Sequence, residues 1–171
     1  MSVPAGIFKA YDVRGLYGSE MDGDVAHALG RAFARVLGRL RAKPPSELRI
    51  GLGRDMRIQS PEMAAGVRAG LTDEGAAVLD AGMIATEMLY FLVGSHELDG
   101  GAMVTASHNP KAYTGVKLVR EGALALSGET GIGQVRAEIE AGLPAPPGGG
   151  TVEEIDIYDE FQRHTLGVIT R

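Results

Sequence analysis

Apolar residues at Val25, Ala28, Leu29, Ala32, Phe33, Val36, Leu37 and Leu40 recur at helical spacing and predict an amphipathic core helix from Asp24 to Leu40, with Asp22 and Asp24 as capping candidates. After the Pro44-Pro45 break, the short apolar run Leu48 to Leu52 predicts a strand that leads into the polar loop Gly53-Arg54-Asp55. Ser60-Pro61-Glu62 reads as an N-cap, a proline at the first helical position and an acid in the first turn. The helix it opens runs to about Glu74, stops at Gly75, and buries Met63, Val67 and Leu71.

Ala76 to Leu79 is a brief strand, and Thr86 caps the very apolar segment Met88 to Val93, which has to be largely buried whether helical or not. Gly101 to Thr105 is another short buried strand. Val116 to Val119 and Leu124 to Leu126 form a hairpin around Glu121-Gly122, and a helix follows from about Thr130 to Glu140. Alternating strands and helices predict a three-layer α/β/α sandwich, and the late hairpin makes its sheet mixed. Leu-Pro-Ala-Pro-Pro-Gly-Gly-Gly, 143 to 150, disfavours both regular structures. The expected division is therefore a domain over residues 1–143, a linker over 144–150, and the start of a second domain over 151–171. That last piece holds one strand, Val152 to Ile157, and one amphipathic stretch, Tyr158 to Val168, too little to fold alone.

With 171 residues, 44% hydrophobic and 23% charged, the chain has room for one ordinary domain with a sizeable core. No apolar run approaches membrane-spanning length, and the opening Met1-Ser2-Val3-Pro4-Ala5-Gly6 has no signal-peptide pattern, so the expected location is the cytoplasm, with no membrane partner. The absence of cysteine removes disulfides, thiolate metal sites and cysteine nucleophiles. A formal net charge of -5 argues against nucleic acid as a partner. The nearest basic patch, Arg31, Arg35, Arg39 and Arg41, reads as the solvated face of the first helix. Gly51-Leu52-Gly53 and Gly131-Ile132-Gly133 lack the third glycine of a dinucleotide fingerprint, and there is no P-loop and no aspartate-rich magnesium cage.

The chemistry concentrates in Thr105-Ala106-Ser107-His108-Asn109-Pro110, at the end of a buried strand where open α/β sheets place their ligands. Ser107 is the candidate phosphoryl carrier: a serine hydroxyl needs activation, and once phosphorylated it bears about two negative charges that Lys117, on the following strand, is placed to neutralise. His108 reads as a proton shuttle, a phosphate donor or an ordinary loop residue, and Asn109-Pro110 as a fixed turn. In Phe8-Lys9-Ala10-Tyr11-Asp12-Val13-Arg14-Gly15, Tyr11 and Arg14 are candidate contacts for an anionic substrate, or a strand end with a salt bridge. Gly53-Arg54-Asp55-Met56-Arg57 offers an arginine near a phosphate, an Arg54–Asp55 pair, or a helix cap.

Together the serine loop, Gly115-Val116-Lys117, the Phe8 to Gly15 opening and Gly53-Arg54-Asp55 resemble the α-D-phosphohexomutases, over about residues 7 to 143, and the opening looks most like the phosphomannomutase/phosphoglucomutase branch. The resemblance implies an enzyme of four domains that interconverts hexose 1-phosphates and hexose 6-phosphates, with this chain as the first domain. By similarity, Ser107 would be the phosphoserine that passes phosphate through a hexose 1,6-bisphosphate, and one of its oxygens would bind Mg2+, whose remaining ligands this chain lacks. Lys117 would assist the transfer, His108 would flank the serine, and Tyr11 and Arg14 would face the substrate. The downstream domains would be its partners, and without them the domain is expected to be inactive and to expose an apolar face that offers a route to a homodimer. The rival readings are a phosphoglucosamine mutase domain, whose opening tends towards Gly-Thr-Asp-Gly, and a catalytically silent sugar-phosphate-binding or interaction module. A serine hydrolase is disfavoured by the absence of a Gly-x-Ser-x-Gly elbow and by a histidine directly following the serine.

Overall fold

The computed structural model describes residues 3–169. The first two residues, within the opening read above as free of a signal peptide, and the last two, at the end of the 151–171 segment, lie outside the described residues. A mixed sheet of seven strands is flanked by helices on both faces, the expected three-layer arrangement.

The strands are β1 (Val13–Leu16), β2 (Arg49–Arg54), β3 (Ala77–Met83), β4 (Gly100–Val104), β5 (Tyr113–Arg120), β6 (Leu124–Ala125) and β7 (Thr151–Glu154). They run in the order β1-β5-β4-β2-β3-β7, with β6 added to β5. β4, β2, β3 and β7 are parallel, while β5 is antiparallel to β4, β1 and β6. The expected hairpin is therefore present, joined by a 3-10 turn over Glu121–Ala123. Segment 144–150 leads into β7, which pairs with β3, so this proline- and glycine-rich stretch is a connection within the sheet. The strand after it supplies the sheet's edge.

The helices are α1 (Gly23–Arg41), α2 (Ser60–Asp73), α3 (Thr86–Ser95), α4 (Gly133–Ala141) and α5 (Tyr158–Ile169). Asp22 caps α1 by accepting from the Val25 amide at 2.8 Å, and Ala42 ends it in the left-handed conformation. Of the apolar stripe of α1, Leu40 alone is exposed; Phe33, Val36 and Leu37 are fully buried. Ser60 does not cap α2, because Gln59 occupies the cap position and the Ser60 hydroxyl is spent on the Asp55 carboxylate. α4 begins at Gly133, later than its sequence pattern suggests, because a π-type turn over Gly128–Ile132, closed by a Ser127–Thr130 capping box, takes the residues before it.

Two cores lie on the two faces of the sheet. Phe33, Leu37, Met63, Leu71, Ile50, Leu52, Val104 and Leu118 join α1 and α2 to one face. Leu89, Leu92, Val93, Met103, Val119 and Leu79 join α3 to the other. α5 rests on α3, with the Phe161 ring edge-on to Phe91 at 5.5 Å and Glu160 paired to His96 at 2.9 Å.

The arginine face of α1 is not the solvated one its spacing suggested. Arg31 is 7% exposed and its guanidinium pairs with the buried Glu74, donating also to the Pro144 carbonyl. Arg35 and Arg39 share Glu138 of α4, and Arg41 reaches Asp99. Arg39 stays half exposed, but Glu74 at the end of α2, Glu138 of α4 and Asp99 before β4 take up the four charges, so they help to hold α1 to its neighbours. No helix among the described residues is long and apolar enough to cross a membrane.

Candidate active site

All five residues of β4 are buried, and the strand is hydrogen-bonded on both sides, to β2 and to β5. The chain leaves it through Thr105, whose amide donates to Gly115 at 2.9 Å, and buried Ala106, and reaches the surface at Ser107. The site thus stands at the carboxyl end of a central parallel strand.

Ser107 has φ of 54°, a left-handed conformation that costs a residue with a side chain about 1–2 kcal/mol. Surrounding hydrogen bonds hold it there. The Ser107 amide donates to Thr105 Oγ1 at 2.9 Å, and both the backbone and side-chain amides of Asn109 donate to the Ala106 carbonyl, at 3.1 and 2.7 Å. Asn109 therefore has the turn-fixing role expected of it. Ser107 Oγ lies 3.2 Å from His108 Nδ1, so the turned backbone brings two consecutive side chains into hydrogen-bonding contact.

Lys117 stands directly across from Met103, and facing residues of paired strands project to the same side of a sheet. Its ammonium is 3.8 Å from Asp12 Oδ2, and Arg14 approaches the same oxygen at 3.5 Å. Asp12, 8% exposed and just before β1, thus gathers two cations, Arg14 of β1 and Lys117 of β5. Lys117 makes no hydrogen bond to Ser107. Tyr11 is 71% exposed, in a bend before β1.

A cleft of about 810 Å³ opens beside the serine, lined by Ser107, Thr105, Asp55, Arg57 and Met103 on one side and by Tyr158 and Phe161 of α5 on another. The structure thus joins Ser107 to His108, and Lys117 to Arg14 through Asp12, as two adjacent groups. Lys117, Arg14, His108 and Tyr11 do not line this cleft.

Asp12 and Arg57 stand in segments the sequence marks out but carry no individual signal there, and Gln59 lies outside them. The guanidinium of Arg54, the last residue of β2, makes only a 3.4 Å contact to the next residue's carbonyl. Arg57 is the one turned into the serine loop, where it donates to the carbonyls of Ser107 and Asn109, and Gln59 donates to those of Lys111 and Tyr113. Nothing in the linear spacing separates an inward arginine from an outward one three residues away.

Among the described residues, no group of three or more His, Cys, Asp or Glu is arranged to hold a metal ion. The residues present therefore do not fit a magnesium site by themselves, since that ion takes several oxygen ligands in octahedral array. An exposed hydroxyl on a hydrogen-bonded loop, touching an imidazole, with an Asp-bridged pair of cations on β1 and β5, suits the carrying of an anionic group.

Fold and site together define an α/β/α sandwich with an exposed serine on a loop at the end of a central strand. The family model for phosphoglucomutase/phosphomannomutase, alpha/beta/alpha domain I, matches residues 5–143. The chain belongs to the phosphoglucomutase/phosphomannomutase family. It is 42% identical over 167 residues to a phosphomannomutase of Salmonella typhimurium, covering 95% of this chain and 35% of that protein. A phosphoglucomutase of Neisseria meningitidis serogroup A is 40% identical over 168 residues, covering 95% of this chain and 34% of that one. The crystal structure of a phosphoglucomutase/phosphomannomutase family protein from Burkholderia thailandensis superposes with a TM-score of 0.86 at 32% identity, over 97% of this chain and 36% of that chain. The chain thus spans about a third of the length of these relatives.

Proposed function

We propose that this chain is the phosphoryl-carrying first domain of a phosphomannomutase/phosphoglucomutase that interconverts hexose 1-phosphates and hexose 6-phosphates. The observation that carries the reading is Ser107, exposed on a hydrogen-bonded loop in a member of this family, with Oγ 3.2 Å from His108 Nδ1. In the forward step the P–Oγ bond of phosphorylated Ser107 breaks as a P–O bond forms to the free hydroxyl of a hexose phosphate. That hydroxyl releases a proton to water as Oγ gains one; His108 Nδ1, 3.2 Å from Oγ, is the group within reach to supply it, and the imidazole takes a proton back from water, so the count closes. The resulting hexose 1,6-bisphosphate reorients and returns its other phosphoryl group to Ser107 by the reverse exchange.

Lys117 of β5 and Arg14 of β1, both on Asp12, supply positive charge, and Tyr11 with Arg14 contacts the sugar phosphate. A magnesium ion, if used, would be held by a phosphoserine oxygen together with ligands from outside the described residues, and would supply neutralising charge. Because the chain spans about a third of the Salmonella and Neisseria relatives, we assign substrate specificity and turnover to further domains and expect no appreciable mutase activity from this polypeptide alone. The cytoplasm is the location this reading assigns, consistent with a chain free of cysteine.

Intact-mass analysis after incubation with glucose or mannose 1,6-bisphosphate tests the proposal. One added phosphate mapped to Ser107 and absent from Ser107→Ala is the expected result. No phosphate on the chain, or phosphate on another residue, overturns it. Mutase turnover at a rate comparable to a full-length relative would overturn the assignment of turnover to further domains.

A further inference from the structure

The Arg57 guanidinium is fully committed. One terminal nitrogen donates to the carbonyls of Ser107 at 2.9 Å and Asn109 at 2.8 Å, and the other to those of Pro110 at 3.1 Å and Tyr113 at 3.5 Å. Its Nε forms an ion pair with Asp55 Oδ2 at 3.3 Å, so the four N–H groups of the two terminal nitrogens are spent on the loop's carbonyls and the fifth faces a carboxylate. Asp55 is itself fixed: its other oxygen accepts from the Arg57 amide at 3.1 Å and from the Ser60 hydroxyl at the start of α2. Although Arg57 lines the cleft, both its terminal nitrogens are turned to backbone carbonyls. It binds the backbone of the loop that carries the serine.

We propose that Arg57 is the positioning residue that sets the left-handed backbone of Ser107 and thereby aims its hydroxyl, with Gln59 as a second, weaker hold on the far end of the loop. The inference builds on the reading of Ser107 as a phosphoryl carrier, but its geometric content stands on the loop alone. Ser107 is a non-glycine residue at φ of 54°, and its own carbonyl is one of the four that Arg57 grips. If that grip is lost, the peptide after Ser107 is free to rotate, and Oγ and His108 Nδ1 no longer share a fixed geometry. A lysine cannot substitute, because a point charge does not reproduce a planar fork that spans four carbonyls.

The test compares this chain with Arg57→Ala, Arg57→Lys and Gln59→Ala by NMR. Two signals are followed: the φ-dependent amide coupling of Ser107, and hydrogen exchange at the Asn109 and Tyr113 amides, which are bonded to Ala106 and Pro110. In Arg57→Ala, exchange at these two amides is expected to accelerate roughly ten- to a hundredfold and the Ser107 coupling to lose its left-handed value, while amides of β4 and α1 stay protected. Arg57→Lys should behave like Arg57→Ala, and Gln59→Ala should show a smaller acceleration. Millimolar guanidinium, but not methylammonium, should return Arg57→Ala towards the parent. An unchanged Ser107 coupling in Arg57→Ala, or full protection in Arg57→Lys, overturns the inference. If Arg57→Ala is unfolded, the same coupling read in Arg57→Lys decides it. Phosphate uptake by the parent chain is scored separately: its absence counts against the proposed function, while the loop measurements decide the role of Arg57.

Discussion

Behind the sheet, α1 and α2 approach until backbone meets backbone, whereas in front α3 stands against the strands and α5 lies on it without one fully buried residue. A methyl group added at Gly70 would fall 2.1 Å from the His27 carbonyl, and one at Gly30 would fall 2.4 Å from that of Val67. Charge reinforces the rear contact, since Glu74 lies between Arg31 and Arg35 while Glu138 joins Arg35 to Arg39. The front face keeps an open cleft of about 810 Å³ instead, with Ser107 at its edge. The rear layer is therefore where most of the stability should reside. The front layer trades burial for access to the serine.

The sharpest way to break this contrast is Phe33→Ala, which removes a ring that is 0% exposed from the rear core. A loss of about 3–5 kcal/mol in urea unfolding is expected, and a loss below about 1 kcal/mol would mean that the rear layer is not the stabilising one. Gly70→Ala comes next, at about 1–3 kcal/mol, because the atom it meets is backbone and cannot swing aside. A neutral result there would show that α1 and α2 separate easily.

Acid should act on the same rear network. Burial pushes the Asp99 carboxyl up, but hydrogen bonds from Lys43, the Arg49 amide and Arg41 outweigh it and hold the group below the usual aspartate value. Glu138 is held low by its bond from Arg35, against burial, with further help from Arg39. A carboxylate held low in the folded state stabilises fully above its unfolded pKa, about 4 for these groups, and that stability is lost as pH falls through the lower folded value. Stability should therefore fall as pH drops below about 4. Asp99→Asn should flatten that dependence in pH-dependent thermal melts, and an unaltered slope would remove Asp99 from it.

The smallest effect belongs to the front. Phe161→Ala deletes one ring of the edge-on pair with Phe91, and about 1 kcal/mol is expected in the same unfolding assay. A loss as large as that of Phe33→Ala would erase the distinction between the two layers.

Much of this layout is legible in the chain. The stripe of α1, the continuous apolar run of β4 and the turn at Glu121-Gly122 each carry their own local signal, because burial on one face imposes a period and a tight turn demands particular residues. β1 has almost no such signal. Its four residues are defined by pairing with β5, from Val13 against Val116 to Leu16 against Tyr113. The outer end of β3 was likewise missed, since Asp80 inside it is polar and its carboxylate is occupied by Arg68 and by the Gly82 amide.

For the site, the serine loop and its lysine could be named from motif and spacing, and the asparagine's turn role from its residue type. Whether Lys117 faced the serine or an acid could not, because that depends on where β1 lies next to β5. By itself the sequence determined most of the helices, the central strands and the hairpin turn, and which residue types crowd the end of β4, since these follow from local periodicity and side-chain chemistry. Only the tertiary structure decided that Arg31 is buried, that β7 closes the sheet's edge against β3, and that Arg57 rather than Arg54 grips the serine loop. Those outcomes depend on which surfaces meet across tens of residues, and a hydrogen bond from position 57 to position 107 leaves no period in the chain to be read.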